Sequence, residues 1–263
     1  MAHLSENAVS AAAHVLWRQW TGATRIPELP PDIRPHTRAD GYAIQSELVT
    51  LFQQPIVGFK IAATSIAGQR HIGVDGPLVG SLMADRVRPN GSAVSLAGTH
   101  MRVAEAEFAF RFAHDLRPRA APYTLDEVLD AVAELHPTIE IPDSRYDDYA
   151  AVGAAQLIAD TACACWLVVG DAAQDWRARD LSAHVVQGFL DGSPVVEGVG
   201  ANVLGDPRTA LTWMVNERCA YGSGVSAGDL VTTGTCILPV AIAPGQHFSA
   251  DFGELGSLEV SFE

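Results

Sequence analysis

Apolar and polar positions divide the chain into a helical opening and a β-rich remainder. Residues 5 to 20 carry Ala8, Ala12, Val15 and Leu16 at helical spacing, which predicts an amphipathic helix. After the proline-rich connection Ile26-Pro27-Glu28-Leu29-Pro30-Pro31, a second helix is expected from Thr37 to Gln53, with Tyr42, Ile44, Gln45 and Leu48 inside it. From Pro55 the pattern shortens to β-like runs at 56–62, 103–113, 138–141, 164–169 and 183–189. A third long helix is expected over 207–221, where Asp206-Pro207 supplies an N-cap followed by proline at the first helical position. Four closing strands at 230–233, 237–241, 247–252 and 257–262 are punctuated by Gly245 and the Gly253/Gly256 pair. The fold class read from this order is α+β. One functional unit spans 1–263, with a helical section over 1–54 and a β-rich body over 55–263.

Composition narrows the function classes. The chain has 263 residues and a formal net charge of −14, which argues against nucleic acid or an anionic membrane as partner, since both need a positive field. Met1-Ala-His-Leu-Ser-Glu lacks a basic region before its apolar stretch, and no apolar run reaches the length of a membrane helix. The four cysteines include no CxxC pair, so reduced thiols and a cytoplasmic location are expected. Two motif matches fail on context. Gly224-Val225-Ser226-Ala227-Gly228 has the letters of a nucleophile elbow, but a helix precedes it and a strand follows, the reverse of the required order. Gly198-Val199-Gly200 lacks the third glycine of a dinucleotide turn at the right spacing. The nine histidines show no zinc spacing.

Three carboxylates and one lysine remain. In Val103 to Phe112 the apolar residues take one strand face, while Glu105 and Glu107 share the other, roughly 7 Å apart. Such a pair is either the solvated face of an edge strand or two ligands needing a cation between them. Glu140 stands between Ile139 and Ile141, where an unpaired carboxylate is costly. Its alternatives are a salt bridge, with Arg145 or another arginine, and a third ligand. Three glutamates on strands offer an all-oxygen site suited to Mg²⁺ or Mn²⁺ and not to zinc. Lys60 is the only lysine among 17 basic residues and lies in the apolar run Val57 to Ala63. It is either a buried salt-bridge partner or a group doing what arginine cannot, releasing a proton or fitting as a compact point charge.

Gly58-Phe59-Lys60-Ile61-Ala62-Ala63-Thr64-Ser65, Ala104-Glu105-Ala106-Glu107, Pro137-Thr138-Ile139-Glu140-Ile141-Pro142-Asp143-Ser144-Arg145 and Leu255-Gly256-Ser257-Leu258 occur in an order that resembles the 2-keto-4-pentenoate hydratase / 4-oxalocrotonate decarboxylase family of the fumarylacetoacetate hydrolase superfamily. Tyr42-Ala43-Ile44-Gln45 and Val203-Leu204-Gly205-Asp206-Pro207 extend the likeness over nearly the whole chain. The resemblance implies a mixed β-roll or barrel-like body of the fumarylacetoacetate hydrolase C-terminal-domain type with helices outside it. It also implies one divalent metal held by Glu105, Glu107 and Glu140, and a 2-oxo or 2-hydroxydienoic acid substrate lying against Lys60. The expected substrate neighbours are Thr64, Leu78, Cys163 and Trp166.

Two positions depart from the family wording. Hydratase members carry Pro-Asp-Phe-Gly after the lysine strand, whereas this chain has Pro77-Leu78-Val79-Gly80, which leaves Asp75 as the candidate replacement acid. The strand expected near Asp160 reads Asp160-Thr161-Ala162-Cys163, with cysteine where the family has serine. The resulting expectation is a metal-dependent lyase of aromatic-compound meta-cleavage catabolism, leaning to a 4-oxalocrotonate-type decarboxylase. The alternatives are a 2-hydroxypenta-2,4-dienoate hydratase, a C–C bond hydrolase using His71 and Asp75, and an inactive subunit supporting a partner enzyme. The expected partners are the small-molecule 2-oxo acid, other copies in a homo-oligomer, and an enzyme of the same pathway.

Overall fold

The side chains of Ser5 and Thr37 accept the backbone N–H groups of Ala8 and Asp40, satisfying donors that a helix leaves unpaired at its start. The first helix, α1, therefore runs over Glu6–Gly22 and the second, α2, over Arg38–Leu51. The computed structural model describes residues 3–263. Ala12, Ala13 and Leu16 of α1 pack with Ile44 and Leu48 of α2 and reach Tyr146 and Ala159 of the body. Gln45 ties α2 to that body through polar contacts: its Nε2 donates to the carbonyls of Val79 (3.0 Å) and Ile158 (2.6 Å), and its Oε1 accepts from Ser81 (2.8 Å). Buried amide groups need such partners, so this contact orients the helix as well as holding it.

The chain then forms β1 (Ile56–Ala62), α3 (Ile66–His71), β2 (Leu78–Met83), β3 (Val87–Pro89), β4 (Ala93–Val94), β5 (Val103–Phe112), α4 (Leu125–Asp130) and β6 (Val132–Ile141). It continues through α5 (Ala154–Ala159), β7 (Trp166–Val169), β8 (Val185–Leu190), β9 (Ser193–Val199), α6 (Pro207–Ala220), β10 (Leu230–Thr235), β11 (Val240–Ala241), β12 (His247–Asp251) and β13 (Ser257–Phe262). One mixed sheet has the order β2-β1-β10-β5-β6-β7-β3, with β11 paired to β5; the second has the order β4-β13-β12-β8-β9. Phe108, Phe110, Ile139 and Ile141 of the first sheet meet Phe248, Ala250, Phe252 and Val260 of the second in the main core. No helix among the described residues is long and apolar enough to cross a membrane.

Several elements differ from the sequence expectation for physical reasons. β6 starts at Val132 and not at Thr138, because Pro137 sits inside the strand opposite Phe108, and proline in a run argues against a strand. β2 is buried at every position, so it shows no alternation to read. Leu78 to Gly80 accordingly open a strand that the sequence pattern does not reveal. Asp191 and Gly192, at φ 50° and 78°, make the two-residue turn that joins β8 to the unforeseen β9. The Gly224–Gly228 stretch lies between α6 and β10, as its context predicts.

Candidate active site

β5 and β6 run antiparallel with Glu105 opposite Glu140 and Glu107 opposite Thr138. Directly opposed residues share a face, as do residues two apart on one strand. All three carboxylates therefore leave the sheet on the face away from the main core, and one oxygen from each lies within 4.8 Å of the others. Glu107 is 1% and Glu140 0% exposed, while Glu105 is half-buried. Lys60 belongs to β1, three strand spacings from β6. A flat sheet would separate those strands by about 14 Å, yet Lys60 Nζ lies 3.2 Å from Glu140 Oε1. The sheet is curled into a half-barrel, and the four charged groups line its inside.

The oxygens of this cluster are unevenly satisfied. Glu107 Oε2 accepts from the Thr232 hydroxyl and from Gly234 N (2.8 Å). Glu107 Oε1 and both oxygens of Glu140 are buried and accept no hydrogen bond, the Lys60 contact being an ion pair outside hydrogen-bond geometry. Leaving a buried acceptor unpaired costs about 1–3 kcal/mol, more when it is charged. Three such oxygens converging from an all-carboxylate donor set fit a hard divalent cation.

Electrostatics follow from this crowding. Burial, then the Glu107 charge, pushes the Glu105 carboxyl up to about 7, with Lys60 pulling the other way. Burial likewise raises Glu140 well above the ordinary carboxylate range, against the attraction of Lys60. Burial alone would lower the Lys60 pKa, but Glu140 foremost, then Glu105 and Glu107, outweigh it and keep the ammonium charged. Below about pH 7 the carboxylate cluster thus holds a proton that an incoming metal must displace. The apparent Mg²⁺ affinity is expected to rise as pH is raised through that value, with proton release on binding. Calorimetry in two buffers of different ionisation heat measures both; equal affinity at about pH 5.5 and about pH 8 would contradict the geometry.

The second partner of Lys60 is the carbonyl of Ala162, at 3.1 Å. Ala162 belongs not to a strand but to a tight turn in which Thr161, Ala162 and Cys163 all have positive φ (54°, 49° and 64°). Left-handed backbone is costly for residues with a Cβ, so something must hold it. Asp160 does so: it is fully buried and accepts from Trp20 Nε1 (3.2 Å), Ser144 Oγ (3.1 Å), Arg145 N (2.8 Å) and Arg145 Nε (2.6 Å). Gly80 lets β2 close on the turn, since a Cβ there would fall 1.8 Å from the Thr161 carbonyl oxygen. Asp160→Asn leaves Arg145 buried without its counter-charge and is expected to cost about 3 kcal/mol or more. Urea unfolding measures it; a loss under about 1 kcal/mol would contradict this role for Asp160.

The other residues singled out in the sequence fall into two groups. Thr64, Leu78 and Cys163 lie beside the charged cluster. Thr64 packs on Gly234, where a Cβ would fall 2.0 Å from Thr64 Oγ1. Leu78 pairs with Ala62 next to Lys60 and joins an apolar wall of Leu157, Ile158, Ala162 and Cys163. Burial pushes the Cys163 thiol up to about 12, so it serves as a small neutral surface. Trp166 and Asp75 are not brought there. Trp166 is opposed to Ile141 on the other face of the sheet, under the guanidinium of Arg86 at 4.6 Å, while Leu167 is the neighbour of Glu140. Asp75 is 89% exposed, 3.6 Å from Arg38.

His71 is exposed, 3.5 Å from the Tyr149 hydroxyl, and no ion pair among the described residues joins it to Asp75. Arg145, the arginine offered for Glu140, is bound to Asp160. The sequence pattern gives no sign of Thr232, Gly234 or Tyr149, nor of the anchoring role of Asp160. Tyr149 is near enough to Cys163 and Glu105 that burial, then their charges, raise its pKa.

Comparison with known proteins places this geometry in context. The fumarylacetoacetate (FAA) hydrolase C-terminal family matches residues 54–263. A 2-keto-4-pentenoate hydratase of Paraburkholderia xenovorans is 33% identical over 228 residues, covering 85% of this chain and 83% of its own. A 4-oxalocrotonate decarboxylase of Pseudomonas putida is 29% identical over 263 residues, covering 98% of each. The solved structure of a Pseudomonas putida 4-oxalocrotonate decarboxylase, complexed with magnesium and adipate, matches all of both chains with a TM-score of 0.90 at 27% identity.

Proposed function

The chain belongs to the fumarylacetoacetate hydrolase C-terminal family, and from that premise we propose that it is a divalent-metal-dependent lyase decarboxylating a 4-oxalocrotonate-type 2-oxo-enedioic acid. The ion is Mg²⁺, with Mn²⁺ as the alternative. One observation carries this reading: an oxygen-only cluster with unpaired buried acceptors stands next to a charged buried lysine whose further wall is apolar.

Glu105, Glu107 and Glu140 hold the ion, which when bound supplies the electron sink that a 2-oxo acid needs. Thr232 and Gly234 N fix one oxygen of Glu107, so that carboxylate keeps a single orientation. Loss of CO₂ leaves an electron pair on the carbon skeleton, and a proton must follow it. Lys60 is the donor, kept protonated by Glu140 and aimed by the Ala162 carbonyl. Leu78, Leu157, Ile158 and Cys163 exclude water from that side, which favours decarboxylation over hydration.

The setting is a cytoplasmic homo-oligomer, able to associate with an enzyme of the same meta-cleavage pathway. The exposed β9 edge supports the self-association, with Val195 on it 48% exposed and Val185 of the adjoining β8 47% exposed.

Hydration of 2-hydroxypenta-2,4-dienoate is the second reading, favoured by the identity to hydratases. Product analysis separates the two. The purified protein, given each substrate in turn, is expected to release CO₂ from the enedioate faster than it hydrates the dienoate; the opposite order would transfer the assignment to hydration.

A further inference from the structure

Phe59 and Lys60 are consecutive on β1, so their side chains leave opposite faces of the sheet. Lys60 enters the carboxylate cluster, whereas Phe59 lines a separate groove of about 500 Å³ between α2, β1 and the end of α6. Tyr42, Val49, Ile56 and Tyr221 supply apolar walls, with the rings of Tyr42 and Tyr221 packed 4.7 Å apart. Small-molecule sites commonly combine such walls with a few placed polar groups. Arg218 is the only charged residue among those that line this groove.

The Arg218 guanidinium is held on two sides and free on the third. Its Cζ lies 3.5 Å from the centroid of the Phe59 ring, and its Nε donates to Gly224 O at 2.7 Å. Nη1 and Nη2 donate to nothing among the described residues, and both keep accessible surface. No carboxylate among the described residues forms an ion pair with Arg218. Its neighbour Glu217 is taken by Arg38 (2.7 Å) and the Tyr42 hydroxyl (3.0 Å), and Asp229 accepts from Ser226 N (2.7 Å). Burial pushes the Arg218 guanidinium down to about 10, with the Asp229 charge opposing it only in part. The group is therefore charged at neutral pH, half-buried and without a counter-ion. A charge so placed carries a desolvation cost that a bound anion would offset.

We propose that this groove binds a small monocarboxylic acid with a ring-sized apolar body, the carboxylate on Nη1 and Nη2 of Arg218 and the body against Tyr42, Tyr221 and Ile56. Carboxylate oxygens match two parallel guanidinium N–H groups, and tyrosine rings pack well against another ring. One unpaired positive charge balances one carboxylate, whereas a phosphate dianion would leave net negative charge among apolar walls. The groove is separate from the carboxylate cluster and does not depend on the reaction assigned to it.

The test is calorimetric titration of the full chain, freed of metal by a chelator, with benzoate and separately with benzamide and inorganic phosphate at constant ionic strength. Without metal the three glutamates repel anions, so they do not compete as a site. Benzoate is expected to saturate in the millimolar range, with uncharged benzamide and phosphate each bound about tenfold more weakly or worse. Arg218→Gln is expected to weaken benzoate about tenfold or more, as loss of a charged hydrogen-bond donor does. Ser46→Glu is the second variant, at an exposed α2 position on the groove. It sets a negative charge there and is expected to weaken benzoate about fivefold or more, even if Arg218→Gln fails to fold. A flat benzoate titration, equal binding of benzamide or phosphate, or undiminished binding in either folded variant would overturn the proposal. A second copy of the chain covering the groove in solution would give that flat titration.

Discussion

Glu140→Gln is expected to abolish divalent-metal binding and turnover together while leaving the metal-free protein folded. Both Glu140 oxygens are buried and accept no hydrogen bond, and the residue stands opposite Glu105 on the neighbouring strand. Glutamine matches its shape but lacks its charge. With Lys60 Nζ 3.2 Å away, the amide oxygen turns to the ammonium and its NH₂ group to the ligand side, where a cation is repelled. The loss of affinity exceeds the roughly 10–100-fold that removing an outer partner of a metal ligand costs. Metal-free stability changes less, because the lost attraction to Lys60 is offset by relief from the charges of Glu107 and Glu105. Mg²⁺ calorimetry and thermal melts of the two proteins measure these effects. Wild-type metal affinity in the variant would remove Glu140 from the ligand set.

Lys60→Met separates proton donation from metal binding. Methionine is unbranched and apolar, so it fills the space beside Leu78 and Cys163 without a charge. Turnover is expected to fall by about 10²–10⁴-fold, the range for loss of a positioned acid or base. Metal affinity should rise, since the cation 3.2 Å from Glu140 is gone and its three carboxylate neighbours are left to the ion. Opposite movement of the two quantities is the signature. Loss of metal binding along with turnover would make Lys60 a structural member of the cluster and leave the proton donor unassigned.

What could be read from the sequence was local. Strand alternation alone puts Glu105 and Glu107 on one face, and Glu140 stands out because it interrupts an apolar run. Lys60 stands out by residue usage in a chain that otherwise uses arginine. Their convergence is not local: Glu105 meets Glu140 through the β5–β6 register, and Lys60 reaches Glu140 only because the sheet curls. Arg145 looked available to Glu140 because it is five positions away, yet the chain leaves the strand after Ile141 and Arg145 turns to Asp160.

Trp166 shows the same limit from the other side. The β-like run was read from Ala164, but the left-handed turn delays the strand to Trp166, and the pairing with Ile141 turns the ring away from Glu140. Leu78 could be placed near Lys60 from the family wording, whereas Thr232, Gly234 and Tyr149 act through cross-strand or loop contacts that leave no periodic trace.

The most direct measurement is CO₂ release from 4-oxalocrotonate by chelator-treated protein, before and after Mg²⁺ is restored. The expected result is no CO₂ and no loss of enedioate absorbance without metal, with both returning in equal amounts once Mg²⁺ is added. CO₂ release at the full rate after chelation, or loss of absorbance with a hydrated product and no CO₂, would contradict the account.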